Sequence, residues 1–386
     1  MILNMHQELA PRTAPKLEHR FVFLDGLRGL AALCVAIFHA TLSFRLGFLP
    51  RHSVLAVDFF FCLSGFVIAF AYDRKFATGM SVGDFLVYRV IRLYPIILVS
   101  VLFGGALLMG ENLWAGSPIT QSALLTLASL FLLPLGLRFG MQAYPPNDPL
   151  WSLFFEFVAN AVYGVFGRRI SPLLAWTGLL VLAALLVHVV RVAHGIAEIG
   201  FSNIKLFSFG YVRVAFPFLA GVLLFRLGGH RQIAPLVCGS AVVCILLVML
   251  LNDYPLSAKV PYDLVCVLLV IPALVYVGAM VAVSGRLSAL STWGGAMSYP
   301  FYLIHGPTIG LVHSVTTKAH LDYPYTSAVV GLTLSAALSY IALHRYDIPV
   351  RAWLSGRHRQ FAAQRRFRKD TPYLLARRQH HESPRL

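Results

Sequence analysis

Phe21-Val-Phe-Leu-Asp-Gly-Leu-Arg-Gly-Leu-Ala-Ala-Leu-Cys-Val-Ala-Ile-Phe-His-Ala-Thr-Leu-Ser-Phe44 is the stretch whose reading decides the fold. As a helix rising ~1.5 Å per residue, it is long enough to cross ~30 Å of hydrocarbon. It follows a polar N-terminus and has no small-residue cleavage site, so it reads as an uncleaved first span and not a signal peptide. Yet it carries Asp25, Arg28 and His39, and ionisable groups inside hydrocarbon are costly enough to be functional candidates by default.

Apolar runs of similar kind recur along the chain, at roughly 22–44, 54–72, 85–109, 120–137, 150–167, 172–190, 207–227, 234–251, 263–284, 298–316 and 326–344. The composition agrees: 58% of the 386 residues are hydrophobic and only 12% charged, too few polar groups to cover a water-soluble domain. The fold class is therefore all-α, a polytopic transmembrane helix bundle of about ten crossings. Segment 120–137 is expected not to cross, because it is short, contains Pro134 and Gly136, and runs into Tyr144-Pro-Pro-Asn-Asp-Pro149; it reads as re-entrant or interfacial.

Ten crossings put both termini on one side. That side would hold 23 Lys and Arg, including the Arg168-Arg169 pair, and the other side seven, the asymmetry that positive-inside sorting requires. The organisation expected is a cytoplasmic N-terminal tail (1–20), a transmembrane domain (21–346) and a basic cytoplasmic C-terminal tail (347–386). Eleven of the 32 basic residues lie between Arg345 and Arg385. They account for much of the +16 charge as a topology signal, with the segment Arg357 to Lys369 expected to contact anionic lipid headgroups; nucleic acid is not an expected partner. The five cysteines all lie in apolar runs without a CxxC pair and are expected to be small buried thiols.

The chemistry-bearing residues sort by depth. Arg28 and His39 are eleven residues apart, three helical turns plus ~20°, so they share one face and are separated by ~16 Å. Asp25 can pair with Arg28, which leaves Arg28 with a structural alternative. The second span returns through Val57-Asp-Phe-Phe-Phe-Cys-Leu-Ser-Gly-Phe66 and starts Asp58 near the level of His39, where a carboxylate can orient an imidazole. Arg89 and Arg92, one turn apart at the start of the third span, suit a phosphate. Glu156, in Leu150-Trp-Ser-Leu-Phe-Phe-Glu-Phe157, is expected toward the His39 side. Trp151 suits a sugar ring or simply the interface, and Arg213 and His305 either bind substrate or tie spans together.

Arginines at one depth and His39, Asp58 and Glu156 at the other fit a donor with a phosphate-rich head and a long thin arm. Coenzyme A is such a donor. Ser64 and Ser152 lack a nucleophile elbow, and no HExxH motif, Walker A loop or metal-spaced cluster is present, so no metal is expected.

At these residues the chain resembles the bacterial membrane acyltransferase-3 family, which includes O-antigen, exopolysaccharide and Nod-factor O-acetyltransferases. The matching stretches are Leu24-Asp-Gly-Leu-Arg-Gly-Leu with His39, Val57 to Phe66, Arg89-x-x-Arg92-Leu-Tyr-Pro95, Leu150 to Phe157, and Ser298-Tyr-Pro-Phe-Tyr-Leu-Ile-His305. The resemblance places the family's Arg-x10-His motif, with its catalytic histidine, on Arg28 and His39, and its Arg-x-x-Arg motif, linked to acyl-CoA use, on Arg89 and Arg92. Where relatives often have Glu-x-Pro after the last span, this chain has Asp347-Ile-Pro349, and no SGNH-type hydrolase segment accompanies the spans. A second acyl-transfer step would thus be expected to need another protein.

The resemblance implies a membrane O-acyltransferase of O-acetyltransferase type. It would move an acyl group from acyl-CoA (acetyl-CoA as co-substrate, with no permanently bound cofactor) to a hydroxyl of a polysaccharide, O-antigen or lipid-linked glycan. The expected catalytic residues are His39 as general base with Asp58 and Glu156. Arg28, Arg89 and Arg92 are expected on the donor, and Trp151, Arg213 and His305 on the acceptor. The competing readings are a non-enzymatic transporter whose intramembrane charges line a permeation path, and a membrane protein on an inactive scaffold.

Overall fold

The computed structural model describes residues 21–167, 170–228, 235–252 and 259–361. The N-terminal tail 1–20, the Arg168-Arg169 pair, Arg231 and the tail beyond 361 lie outside the described residues. Among the described residues the chain is helical, and every apolar run becomes a helix: α1 (Val22–Ser43), α2 (Leu55–Ala77), α3 (Val82–Trp114), α4 (Thr120–Leu130), α5 (Leu150–Phe166), α6 (Pro172–Val192), α7 (Ile204–Arg226), α8 (Leu236–Leu251), α9 (Lys259–Met280), α10 (Gly285–Lys318) and α11 (Pro324–Phe361). Seven of these are long and apolar enough to cross a membrane, and α5 and α8 are shorter apolar helices.

Local sequence explains the helix starts. Ser81 accepts from the Asp84 amide at 3.0 Å to cap α3, and Asn203 Oδ1 accepts from the Leu206 amide at 3.0 Å to cap α7; each satisfies an otherwise orphaned N–H. Ser171 caps α6 with Pro172 at its first turn, where the missing N–H costs nothing. At eleven residues α4 spans only ~16 Å. It ends in a turn at Leu132, whose φ of 55° is left-handed. A short 3-10 turn, Leu135–Phe139, follows. The Tyr144 hydroxyl then donates to the Leu132 carbonyl at 2.7 Å and pins the segment back on itself.

Two long pairings organise the bundle: α1 lies along α10, and α2 along α7. Both need small residues. A Cβ on Gly29 would lie 2.9 Å from the Gly294 backbone, and Cβ atoms on Gly65 and Gly221 would lie 2.0 Å from the Phe218 carbonyl and 1.9 Å from the Cys62 carbonyl. In a membrane, where apolar burial gives little preference for protein over lipid, close backbone approach of this kind supplies the packing that holds helices together. The Asp-Gly-Leu-Arg-Gly run of α1 thus combines two glycines that admit α10 with the charged pair they flank.

One expectation needs adjustment. Cys34, Cys62 and Cys266 are buried, but Cys244 is exposed and Cys238 half-buried. Their helix, α8, is apolar on all sides, so an apolar context alone did not imply an inward-facing thiol. The last helix also continues unbroken to Phe361, with a π-helical stretch at Leu343–Asp347, and so runs past the start of the expected tail at 347.

Candidate active site

Where α1 and α3 begin, a cavity of about 200 Å³ is walled by Arg28, Ser64, Arg89, Arg92, Glu156 and Tyr299 among others. The three arginines singled out from the sequence line this one cavity. Arg89 donates to Glu156 Oε1 at 2.8 Å, and the Ser64 hydroxyl donates to the same oxygen at 2.9 Å. Arg28 donates from Nε to the Ser298 hydroxyl at 2.8 Å and to the Gly295 carbonyl, and lies 3.1 Å from Asp25. Glu156 was expected on the His39 side and is instead the carboxylate of the arginine cavity. The reason is helix length: α3 starts at Val82, which carries Arg89 about two turns into the bundle, deep enough to meet Glu156.

The other end of α1 borders a larger cavity, about 460 Å³, lined by His39, Asn147, Asp148, Trp151, Glu198 and Tyr302 among others. The single helical face carrying Arg28 and His39 therefore addresses two cavities, and these share Val57 and Tyr302 in their walls. At the shared wall the Tyr302 and Ser152 hydroxyls are 3.0 Å apart, within hydrogen-bond distance. The His39 ring is half-buried, and its centroid is 5.1 Å from that of His305. His305 is wholly buried; its Nδ1 sits 3.1 Å from the Phe301 carbonyl. A carbonyl only accepts, so Nδ1 carries the proton and Nε2 presents a lone pair, for which there is no partner.

Asp58 was expected to serve His39, and Arg213 either to bind the acceptor or to tie spans together. Instead they serve each other: Arg213 Nε reaches Asp58 Oδ1 at 3.1 Å and Nη2 reaches Oδ2 at 2.8 Å. Arg213 also donates to the carbonyls of Ile196, Ile199 and Val54 and lies over the Trp151 ring at 4.9 Å. Both charged side chains are wholly buried. The bidentate guanidinium outcompetes a neutral imidazole for a carboxylate in this setting, so the expectation that Asp58 orients His39 is replaced by a clamp joining α2, α7 and the loop before α7. Trp151, 5% exposed and covered by Arg213 and Phe201, has little free face for a sugar.

Asn147 and Asp148 escaped sequence reading because they sit outside the apolar runs. The signal was present as two polar residues held between prolines immediately before α5. Asn147 Nδ2 donates to the Leu303 carbonyl at 3.0 Å, while its Oδ1 and Asp148 Oδ1 are buried without a hydrogen-bond partner. Asp148 lies outside the spanning helices; burial, and after it the Glu198 carboxylate, pushes its carboxyl up to about 7. Asp347 is buried and paired with Arg351 at 2.7 Å. Among the described residues no three His, Cys, Asp or Glu side chains cluster as a metal site would require.

A family model described as an acyltransferase domain, of the acyltransferase-3 type, matches residues 21–344. Among curated proteins the chain is similar to Protein 2 in picA locus of Rhizobium radiobacter, 39% identical over 39% of this chain and 84% of that one. It is also similar to Exopolysaccharide production protein ExoZ of Rhizobium meliloti (strain 1021), 28% identical over 75% of this chain and 87% of that one. No solved structure gives a significant match.

Proposed function

The chain belongs to the acyltransferase-3 family and is a multi-pass membrane acyltransferase, and from that footing we propose that it O-acetylates a hydroxyl of an exported exopolysaccharide, using acetyl-CoA. One observation carries the reading: a single face of α1 presents Arg28 to one cavity and His39 to a second, and the two cavities meet at Val57 and Tyr302. The interval of ~16 Å along that face matches the order of length of a pantetheine arm.

The donor's phosphates are held at the arginine cavity by Arg89 and Arg92, with Arg28 along the arm, and the thioester reaches toward His39. There His39 takes the proton from an acceptor hydroxyl as its oxygen attacks the thioester carbonyl. The C–S bond then breaks, and the leaving thiolate takes the proton back from the imidazolium, giving the ester and coenzyme A. Glu156 holds Arg89 in place for this donor. The glycan acceptor agrees with the exopolysaccharide role in the name of the ExoZ relative. The charge asymmetry of the sequence supports an orientation in the bacterial inner membrane with both termini and the arginine cavity cytoplasmic.

The test is His39→Ala in membranes carrying equal amounts of protein, followed by transfer of radiolabel from acetyl-CoA to the glycan. General-base assistance is worth ~10²- to 10⁴-fold, and a loss of that size is expected. Transfer within a few-fold of the unaltered protein would remove His39 from the chemistry.

A further inference from the structure

Buried polar atoms without partners mark places where a structure is waiting for something, because leaving a buried acceptor unsatisfied costs ~1–3 kcal/mol. Among the described residues several such atoms have local explanations. Asp263 Oδ1 faces His52 at 3.4 Å, and Asp347 faces Arg351. Two others share one place. Asn147 Oδ1 and Asp148 Oδ1 belong to adjacent residues that both line the cavity of His39.

The orientation of Asn147 is fixed by chemistry. Its partner is the Leu303 carbonyl, which accepts only, so the nitrogen must face Leu303 and the oxygen is the unpartnered atom. The loop carrying both residues is built. The Ala143 amide donates to the Phe201 carbonyl at 2.9 Å and Tyr144 is pinned to Leu132. Further on, Gly104 of α3 lets the Pro146 carbonyl approach to where a Cβ would be only 1.8 Å away. Asn147 is 2% exposed. Two fixed acceptors thus call for a ligand rich in donors that carry no negative charge.

The charges of the cavity narrow this further. Glu111 and Glu198 line it. Among the described residues the guanidinium in its wall is that of Arg213, already engaged with Asp58 and three carbonyls. Among the described lining residues no uncommitted Lys or Arg is available to a carboxylate or phosphate. Burial, and after it the Glu198 carboxylate, raises the proton affinity of Asp148, so a further negative charge would be unwelcome beside it.

We propose that Asn147 and Asp148 form the acceptor subsite, accepting hydrogen bonds from two hydroxyls of an uncharged sugar residue and so aligning a neighbouring hydroxyl on His39. This rests on the transfer reaction proposed above and adds to it the residues that select the acceptor and the charge class of the sugar.

The experiment uses the full chain in native membranes, with radiolabelled acetyl-CoA and alkali-deacetylated exopolysaccharide of the producing strain as the acceptor probe. Absence of transfer by the unaltered protein would count against the acetyl-transfer reading itself, independently of the subsite. With transfer present, Asn147→Ala and Asp148→Ala are each expected to raise the acceptor KM roughly tenfold, the value of one or two lost hydrogen bonds, with the acetyl-CoA KM within twofold. Asp148→Asn, which keeps an oxygen acceptor and cannot fail by leaving a hole, is expected to recover most of the loss. An unchanged acceptor KM in these variants, as would follow if water alone occupied the two oxygens, overturns the proposal. So does an equal change in both KM values. NMR of the product should place the acetyl group on an uncharged residue; acetate on a uronate or another acidic residue overturns the charge argument.

Discussion

The ion pair between Asp58 and Arg213 joins the wall of the proposed base's cavity through Arg213, yet its hydrogen bonds go to the scaffold. Removing one member of a buried pair leaves an uncompensated charge and costs ~3–5 kcal/mol, whereas replacing both with apolar groups of similar volume is often neutral or better. Asp58→Asn and Arg213→Met alone are therefore expected to lower the thermal stability of the detergent-extracted protein sharply, and Asp58→Leu with Arg213→Met to restore much of it. If the stable double variant still transfers acetyl with an unaltered pH profile, the pair is structural; a displaced profile would return Asp58 to His39. Nothing in the local sequence discloses this pairing. The partners are 155 residues apart, and a carboxylate near the level of a histidine is as good a match by depth as one near an arginine.

Helices were the most legible level. Each apolar run became one, and the short, proline-ended run at 120–137 became an eleven-residue α4 followed by irregular turns, because hydropathy and the breakers Pro134 and Gly136 are local properties. What hydropathy does not carry is rotation about the helix axis in a helix apolar on all sides, so Cys244 on α8 was misjudged. The depth at which α3 begins was also missed, since the apolar run starts at Phe85 while the Ser81 cap starts the helix at Val82. The close crossing of α2 and α7 can be tested at this level. Gly221→Val would drive a side chain into the Cys62 carbonyl of α2, and since that obstacle is backbone, the helices must separate. A loss of extractable folded protein, seen as aggregation in size-exclusion chromatography, is expected. Gly110→Val, with open space around it, should behave as the unaltered chain. Equal behaviour of the two variants would show that α2 and α7 do not depend on that approach.

At the scale of the molecule, the candidate site is a property of assembly. The sequence spacing of Arg28 and His39 correctly implied one face, and Arg28, Arg89 and Arg92 do converge. The division into two chambers was not visible, because Tyr302 and the stretch holding Asn147, Asp148 and Ser152 enter from two distant points of the chain that only the packed bundle brings together. The division also has a bearing on energy transduction. A protein hollowed from two ends would short-circuit the proton-motive force if its hollows joined, and the wall they share includes Val57 and Tyr302, whose hydroxyl is 3.0 Å from that of Ser152. Reconstituted into liposomes holding a pH-sensitive dye, the unaltered protein and Tyr302→Phe should stay tight while Tyr302→Ala should dissipate an imposed pH gradient. If Tyr302→Ala holds the gradient as well, the insulation lies elsewhere. If the chain moves acetyl from a cytoplasmic thioester to an exported sugar, as proposed, it must do so without discharging the cell's own battery, and Tyr302 is where that insulation is expected.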